Sequence, residues 1–166
     1  EGRLDVAVLG PGEYPGIPGV TLEQVCQFPA MVLAPVNHRL AKKRQVPLEE
    51  LREEEIIGFK HQDAPGRYRN FLAACREAGF TPRVTYVASI FPELCIAVKK
   101  RMGVGIISSF ASPVPHPGVI FIKLKPPSVQ LEVYTAHTAN ATPAAVELEK
   151  LIAAAARRAA ALVGGQ

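Results

Sequence analysis

RVTYVASIFPELCIAVKKRMGVGIIS, residues 83–108, sets two short apolar runs on either side of a segment with a different period. The outer runs, 83–87 and 104–108, are rich in β-branched side chains and read as strands. Between them Leu94, Ala97 and Val98 share one helical face. Pro92 suits a first helical turn, Ser89 is placed to cap the helix, and Gly103 is placed to close it. Strand, helix and strand on connections this short predict an α/β fold with mainly parallel sheets.

The same alternation continues outward. Residues 67–78 put Tyr68, Phe71, Leu72 and Cys75 at i, i+3, i+4 and i+7, one apolar stripe that Gly79 is placed to end. Residues 55–59 precede that helix as a strand, and 119–124 and 130–136 follow as two more. Residues 28–34 form an apolar run stopped by Pro35, and residues 4–9 run into the turn Gly10-Pro11-Gly12. A last helix starts at Thr142-Pro143, with Leu148, Leu151, Ile152, Ala155, Ala159 and Leu162 expected on its packed side. The first strand has no good helix after it, because residues 10–19 hold three prolines and four glycines. The division expected is therefore a lobe of residues 26–129, flanked by two pieces of a second lobe, 1–25 and 130–166, that the chain enters twice.

Composition narrows the function. The 166 residues are 48% hydrophobic and 20% charged, within the globular range. The longest apolar stretches, 152–156 and 159–163, are broken by Arg157 and Arg158, well short of the roughly 20 residues of a membrane span. The first residue is Glu1 and no basic-then-apolar leader follows it, so the expectation is a cytoplasmic fragment with no membrane partner. The three cysteines, Cys26, Cys75 and Cys95, are widely spaced and read as buried thiols. The net charge of +4 draws on clusters at 39–44 and 99–101 that lack aromatic interleaving or a helix-turn-helix beside them, and they read as solvated faces.

Chemistry points to binding. His38, His61, His116 and His137 show no metal-ligand spacing, so no metal or other cofactor is expected. No nucleophile elbow or phosphate loop occurs, and Gly103-Val104-Gly105 precedes a strand, the wrong context for a dinucleotide turn. No catalytic residue is assigned. In a parallel α/β sheet the loops after successive strands emerge at one edge, here residues 60–67 and 88–92. Helix N-termini there attract anions through free N–H groups and the dipole, and Lys60, His61, Arg67 and Ser89 add charge and a hydroxyl. A small carboxylate is the natural guest. The plainer alternative is that Ser89 only caps its helix and that Lys60 and Arg67 are ordinary surface charges.

The order of segments resembles a family. Gly2-Arg3-Leu4-Asp5-Val6-Ala7 resembles the G-x-L-D-x-A strand of LysR-type transcriptional regulators, and Asn37-His38-Arg39-Leu40-Ala41 their HPLA loop, with Arg39 where proline is usual. Residues 46–57 are similar to their v-x-L-x-d-L-x-x-e-x-f-I stretch, 78–82 to a-G-f-x-P, and 97–107 to v-x-x-G-x-G-i-a. The resemblance implies a periplasmic-binding-protein-like (type II) sensor domain, two Rossmann-like lobes joined by crossing strands, with the first lobe incomplete. It implies an effector held between the lobes by Phe59, Lys60, His61, Gly66, Arg67, Ser89 and Ile90, with Leu9, Gly10 and Pro11 from the first lobe. Residues 63–80 are similar to the branch that answers to aromatic-degradation intermediates, which suggests a small organic acid. The resemblance further implies DNA contact only through an N-terminal helix-turn-helix outside this chain, and a homodimer or homotetramer at full length. A transporter's solute-binding protein, or an enzyme on the same two-lobe scaffold, would share the fold. The motif order favours the regulator.

Overall fold

The computed structural model describes residues 4–10, 18–59 and 65–164. Eight strands and three α-helices follow one another in the order β1 (Val6–Leu9), β2 (Val20–Pro35), β3 (Gln45–Val46), β4 (Glu55–Phe59), α1 (Pro65–Glu77), β5 (Arg83–Ala88), α2 (Phe91–Lys99), β6 (Val104–Ser108), β7 (Val119–Leu124), β8 (Gln130–Thr138) and α3 (Pro143–Gly164). The seven strands read from the sequence are all present.

The unexpected feature is β2. Its apolar half was legible, but the strand begins at Val20, through a polar stretch, and runs for 16 residues. Residues from Val20 to Pro29 pair antiparallel with β8, whose other edge carries β1, also antiparallel. Beyond Pro29 the same strand changes partners: Ala30 to Leu33 pair antiparallel with β6, and Met31 to Pro35 with β7. The second sheet thus runs β3-β7-β2-β6-β4-β5, with β4 parallel to β5 and β6 and β3 parallel to β7. The chain returns where the Ala30 N–H donates to the Val129 carbonyl at 2.8 Å, just before β8 starts. The chain therefore crosses between the sheets twice, once within β2 and once just before β8, and every pairing made by β2 is antiparallel. The expectation of mainly parallel sheets is corrected to a mixed one, because a crossing strand enters the second sheet against the direction of its βαβ units.

Helices cover both faces of the second sheet. Alternate residues of each strand point to opposite faces, so Ile56 and Val32 pack with Phe71 and Cys75 of α1, while Ile57 and Leu33 pack with Leu94, Ala97 and Val98 of α2. Leu94 is fully buried, and truncating such a leucine to alanine costs about 2–5 kcal/mol. Its side chain lies over Gly105, where a Cβ would stand 2.7 Å from Leu94 Cδ1.

The end of α2 departs from the expected glycine stop. The Arg101 N–H donates to the Val98 carbonyl and the Met102 N–H to the Ala97 carbonyl, the pair of bonds that closes a Schellman motif. The left-handed residue is Arg101, at φ 59°. Gly103 serves the next step: at φ +147° a Cβ would lie 2.4 Å from the Glu55 carbonyl oxygen, so the chain enters β6 hard against β4.

The last helix is turned relative to expectation. Glu149 and Ala153 are its buried residues, and Leu148, Leu151 and Leu162 are exposed. Polar anchors fix that rotation. Glu149 Oε2 lies 2.6 Å from His137 Nδ1 on β8, and Arg157 donates to the Val25 carbonyl and to Glu23 on β2. Alanines on the inner side let the helix approach the sheet closely.

Candidate functional site

Parallel pairing of β4 and β5 puts Phe59 opposite Ala88. The last residues of both strands are therefore neighbours, and the chain leaves both at one sheet edge toward the starts of α1 and α2. Each strand end is thus followed by a helix, whose first turn leaves backbone N–H groups without helical acceptors. Of the residues expected at the site, Phe59 ends β4, Gly66 and Arg67 lie in the first turn of α1, and Ser89 and Ile90 join β5 to α2. Lys60, His61 and Pro11 lie outside the described residues.

Ser89 and Ile90 are both exposed. Ser89 does not cap α2, which corrects the expectation: the N-cap is Ile90, and no side chain supplies a cap bond. The carboxylate of Glu93 reaches back from the first turn and accepts the Ser89 N–H at 2.7 Å. Its other oxygen accepts from the Tyr86 hydroxyl in a short contact. That hydrogen bond to Glu93, with burial and the carboxylate charge, raises the Tyr86 pKa above the usual phenol value. A carboxylate is favourable at a helix start, and here it occupies one donor that an anionic guest would use. The Ser89 hydroxyl is left facing solvent at that edge.

Leu9 and Gly10 sit at the end of β1, with Leu9 opposite Tyr134 of β8. Tyr134 is four residues along β8 from Gln130, where the chain arrives from the second sheet, or about 13 Å at strand rise. The end of β1 thus points toward the crossover.

The described residues offer neither a metal cluster nor an activated cysteine. Among the described residues no group of three His, Cys, Asp or Glu side chains could hold a metal ion. Burial pushes the Cys75 thiol up to about 12 and raises Cys26 and Cys95 as well, so none of the three is a ready thiolate.

Sequence reasoning missed Glu93, although a glutamate in the first turn after a serine is a recognisable N-terminal signal. It also read the basic cluster at 39–44, Arg39 included, as a solvated face. Arg39 instead donates to the Glu50 carbonyl at 2.8 Å and pairs with Glu54 at 2.7 Å, where His38 also binds.

The family model of the LysR substrate binding domain matches residues 1–158. The chain belongs to that family. It is 26% identical over 111 residues to the HTH-type transcriptional regulator AlsR of Bacillus subtilis (strain 168), covering 67% of this chain and 36% of AlsR. Among solved structures, CbnR, a LysR family transcriptional regulator, superposes with a TM-score of 0.79 at 16% identity, covering 96% of this chain and 53% of that one. The effector binding domain of QuiR in complex with shikimate superposes with a TM-score of 0.74 at 19% identity, covering 91% of this chain and 70% of that one. At these identities the superpositions establish the fold, the type II periplasmic-binding-like architecture with crossing strands. The chain spans about two-fifths of the length of the curated relatives it matches.

Proposed function

We propose that this chain senses a small organic acid on behalf of a DNA-binding transcriptional regulator, without catalysing a reaction and without a cofactor. Residues 26–129 form one lobe, residues 1–25 and 130–166 contribute to the other, and the acid lies between them. The observation that carries the reading is the Phe59–Ala88 register, which sets the ends of β4 and β5 side by side ahead of α1 and α2. An acid is the guest such paired helix starts select. Because Glu93 already takes the Ser89 N–H, the guest's carboxylate faces the α1 side, toward Lys60, His61, Gly66 and Arg67. Its hydroxyl or carbonyl groups meet Ser89 and Ile90. Leu9, Gly10 and Pro11 close on it from the other lobe. That QuiR was solved with shikimate, a hydroxylated ring acid, is consistent with this division of polar groups. An aromatic-degradation intermediate has the same chemistry.

Regulation then requires the acid to bind one arrangement of the lobes better than another, since equal affinity for both shifts nothing. DNA is contacted through a helix-turn-helix elsewhere in the regulator, which works in the cytoplasm as a homodimer or homotetramer. The test uses the intact regulator, its effector found by screening organic acids. Arg67→Ala and Ser89→Ala should each weaken effector binding by about tenfold or more, the loss of one hydrogen bond to a charged or polar guest. Unchanged affinity and regulation in both variants would remove the site from this edge.

A further inference from the structure

The α2 side of the second sheet is only partly covered by α2. The helix lies on Leu33, Ile57, Ile107 and Val119. Further along β7 on that same face come Phe121 and Lys123, and Met31 of β2 is paired with Lys123. Here the cover changes from a helix to the proline-rich turn at 112–118, which with residues of both faces of β7, Phe121 and Ile120 among them, lines a trough of about 840 Å³. That size falls within the range of small-ligand sites, and the walls, with Val114 and Phe121 among them, are largely apolar.

The far end of the trough is cationic. Lys123 lines both it and an adjoining depression of about 660 Å³ that Arg44 and Lys125 share. Among the described residues no carboxylate pairs with any of these three cations. Elsewhere on the surface Arg39, Lys43, Lys150 and Arg157 each have a glutamate within 4 Å. A lysine half-buried on an apolar sheet face, flanked by two more unmatched cations, holds a positive potential that an anion can discharge. The wall adds a second polar feature. Ser109 is 1% exposed and its hydroxyl has no hydrogen-bond partner, a buried donor that costs free energy until something accepts from it.

We infer that this trough is a second ligand site, separate from the edge at Ser89, and that it takes a carboxylic acid with an apolar body, its head at Lys123. An apolar chain or ring covers Met31 and Phe121, while one carboxylate meets the unmatched cations. None of Phe59, Gly66, Arg67, Ser89 or Ile90 lines it, so the inference stands or falls independently of the proposed function.

Octanoate serves as the probe. Titrated into the chain carrying ¹³C-labelled methyl groups, it should give saturable shifts at Met31 and Val114. Lys123→Met should weaken it by about tenfold or more, since a charge-assisted contact is lost. Val114→Asp changes an exposed turn residue, spares the core, and should weaken octanoate by like-charge repulsion. Shifts centred on Ser89 and Ile90, no saturable shift, equal affinity for octan-1-ol, or affinity unchanged in both variants would each overturn the site.

Discussion

Arg101 holds a left-handed backbone that costs a non-glycine residue about 1–2 kcal/mol. Replacing it with glycine removes that strain and adds back some unfolded-state entropy. Arg101→Gly should therefore stabilise the chain by about 0.5–1 kcal/mol, visible as a higher midpoint of thermal unfolding. The sequence offered Gly103 as the helix stop, and a stop two residues earlier was invisible because it fell on an arginine. What Gly103 does depends on the Glu55 carbonyl, 48 residues away, and no local pattern encodes that contact. Glu93 bears a second prediction. The Tyr86 phenol, raised above its ordinary value by Glu93, contributes stability below about pH 10 that is lost as pH rises through the folded-state value. Glu93→Gln should bring the Tyr86 titration midpoint down toward the ordinary phenol value, read from its ring resonances. An unchanged midpoint would mean that the carboxylate does not govern it.

At the level of elements, the βαβ unit of 83–108 was legible because period and punctuation agree: β-branched runs, one apolar helical face, and a proline in the first turn. The first half of β2 was not legible. Thr21, Glu23, Gln24 and Gln27 interrupt any apolar run, and they form strand because β8 offers a ladder on one side. The rotation of α3 was misread for a related reason. With apolar residues almost all round, its sequence supports several inward faces, and the choice falls to Glu149 meeting His137 and Arg157 meeting Glu23. The two rotations make opposite forecasts. With Ala153 inward, Ala153→Leu overpacks the seam with the sheet and should cost about 1–3 kcal/mol. Leu148→Ala, on the exposed side, should change stability by about 0.5 kcal/mol or less. Chemical denaturation of the two variants separates the cases, and the reverse order of effects would return Leu148 to the packed side.

For the whole molecule, the order of five short motifs carried more than any of them alone, and it correctly assigned a LysR substrate-binding domain over nearly the whole chain. The architecture follows from one strand. Because β2 serves both sheets and the chain returns beside it at Ala30 and Val129, the sheets are linked by two adjacent crossings. Two adjacent crossings act as a hinge about which two sheets can reorient with little chain rearrangement. The candidate site was proposed in the sequence only as loops at a sheet edge. Register makes the strand ends before those loops neighbours, while the occupation of the Ser89 N–H by Glu93 could be seen only in three dimensions. The most direct measurement is an amide-resolved NMR titration of the chain with small carboxylic acids, shikimate among them. An acid that binds should shift Gly66, Arg67, Ser89 and Ile90 together and saturably. Saturable binding that leaves those four amides unmoved would contradict the proposed site.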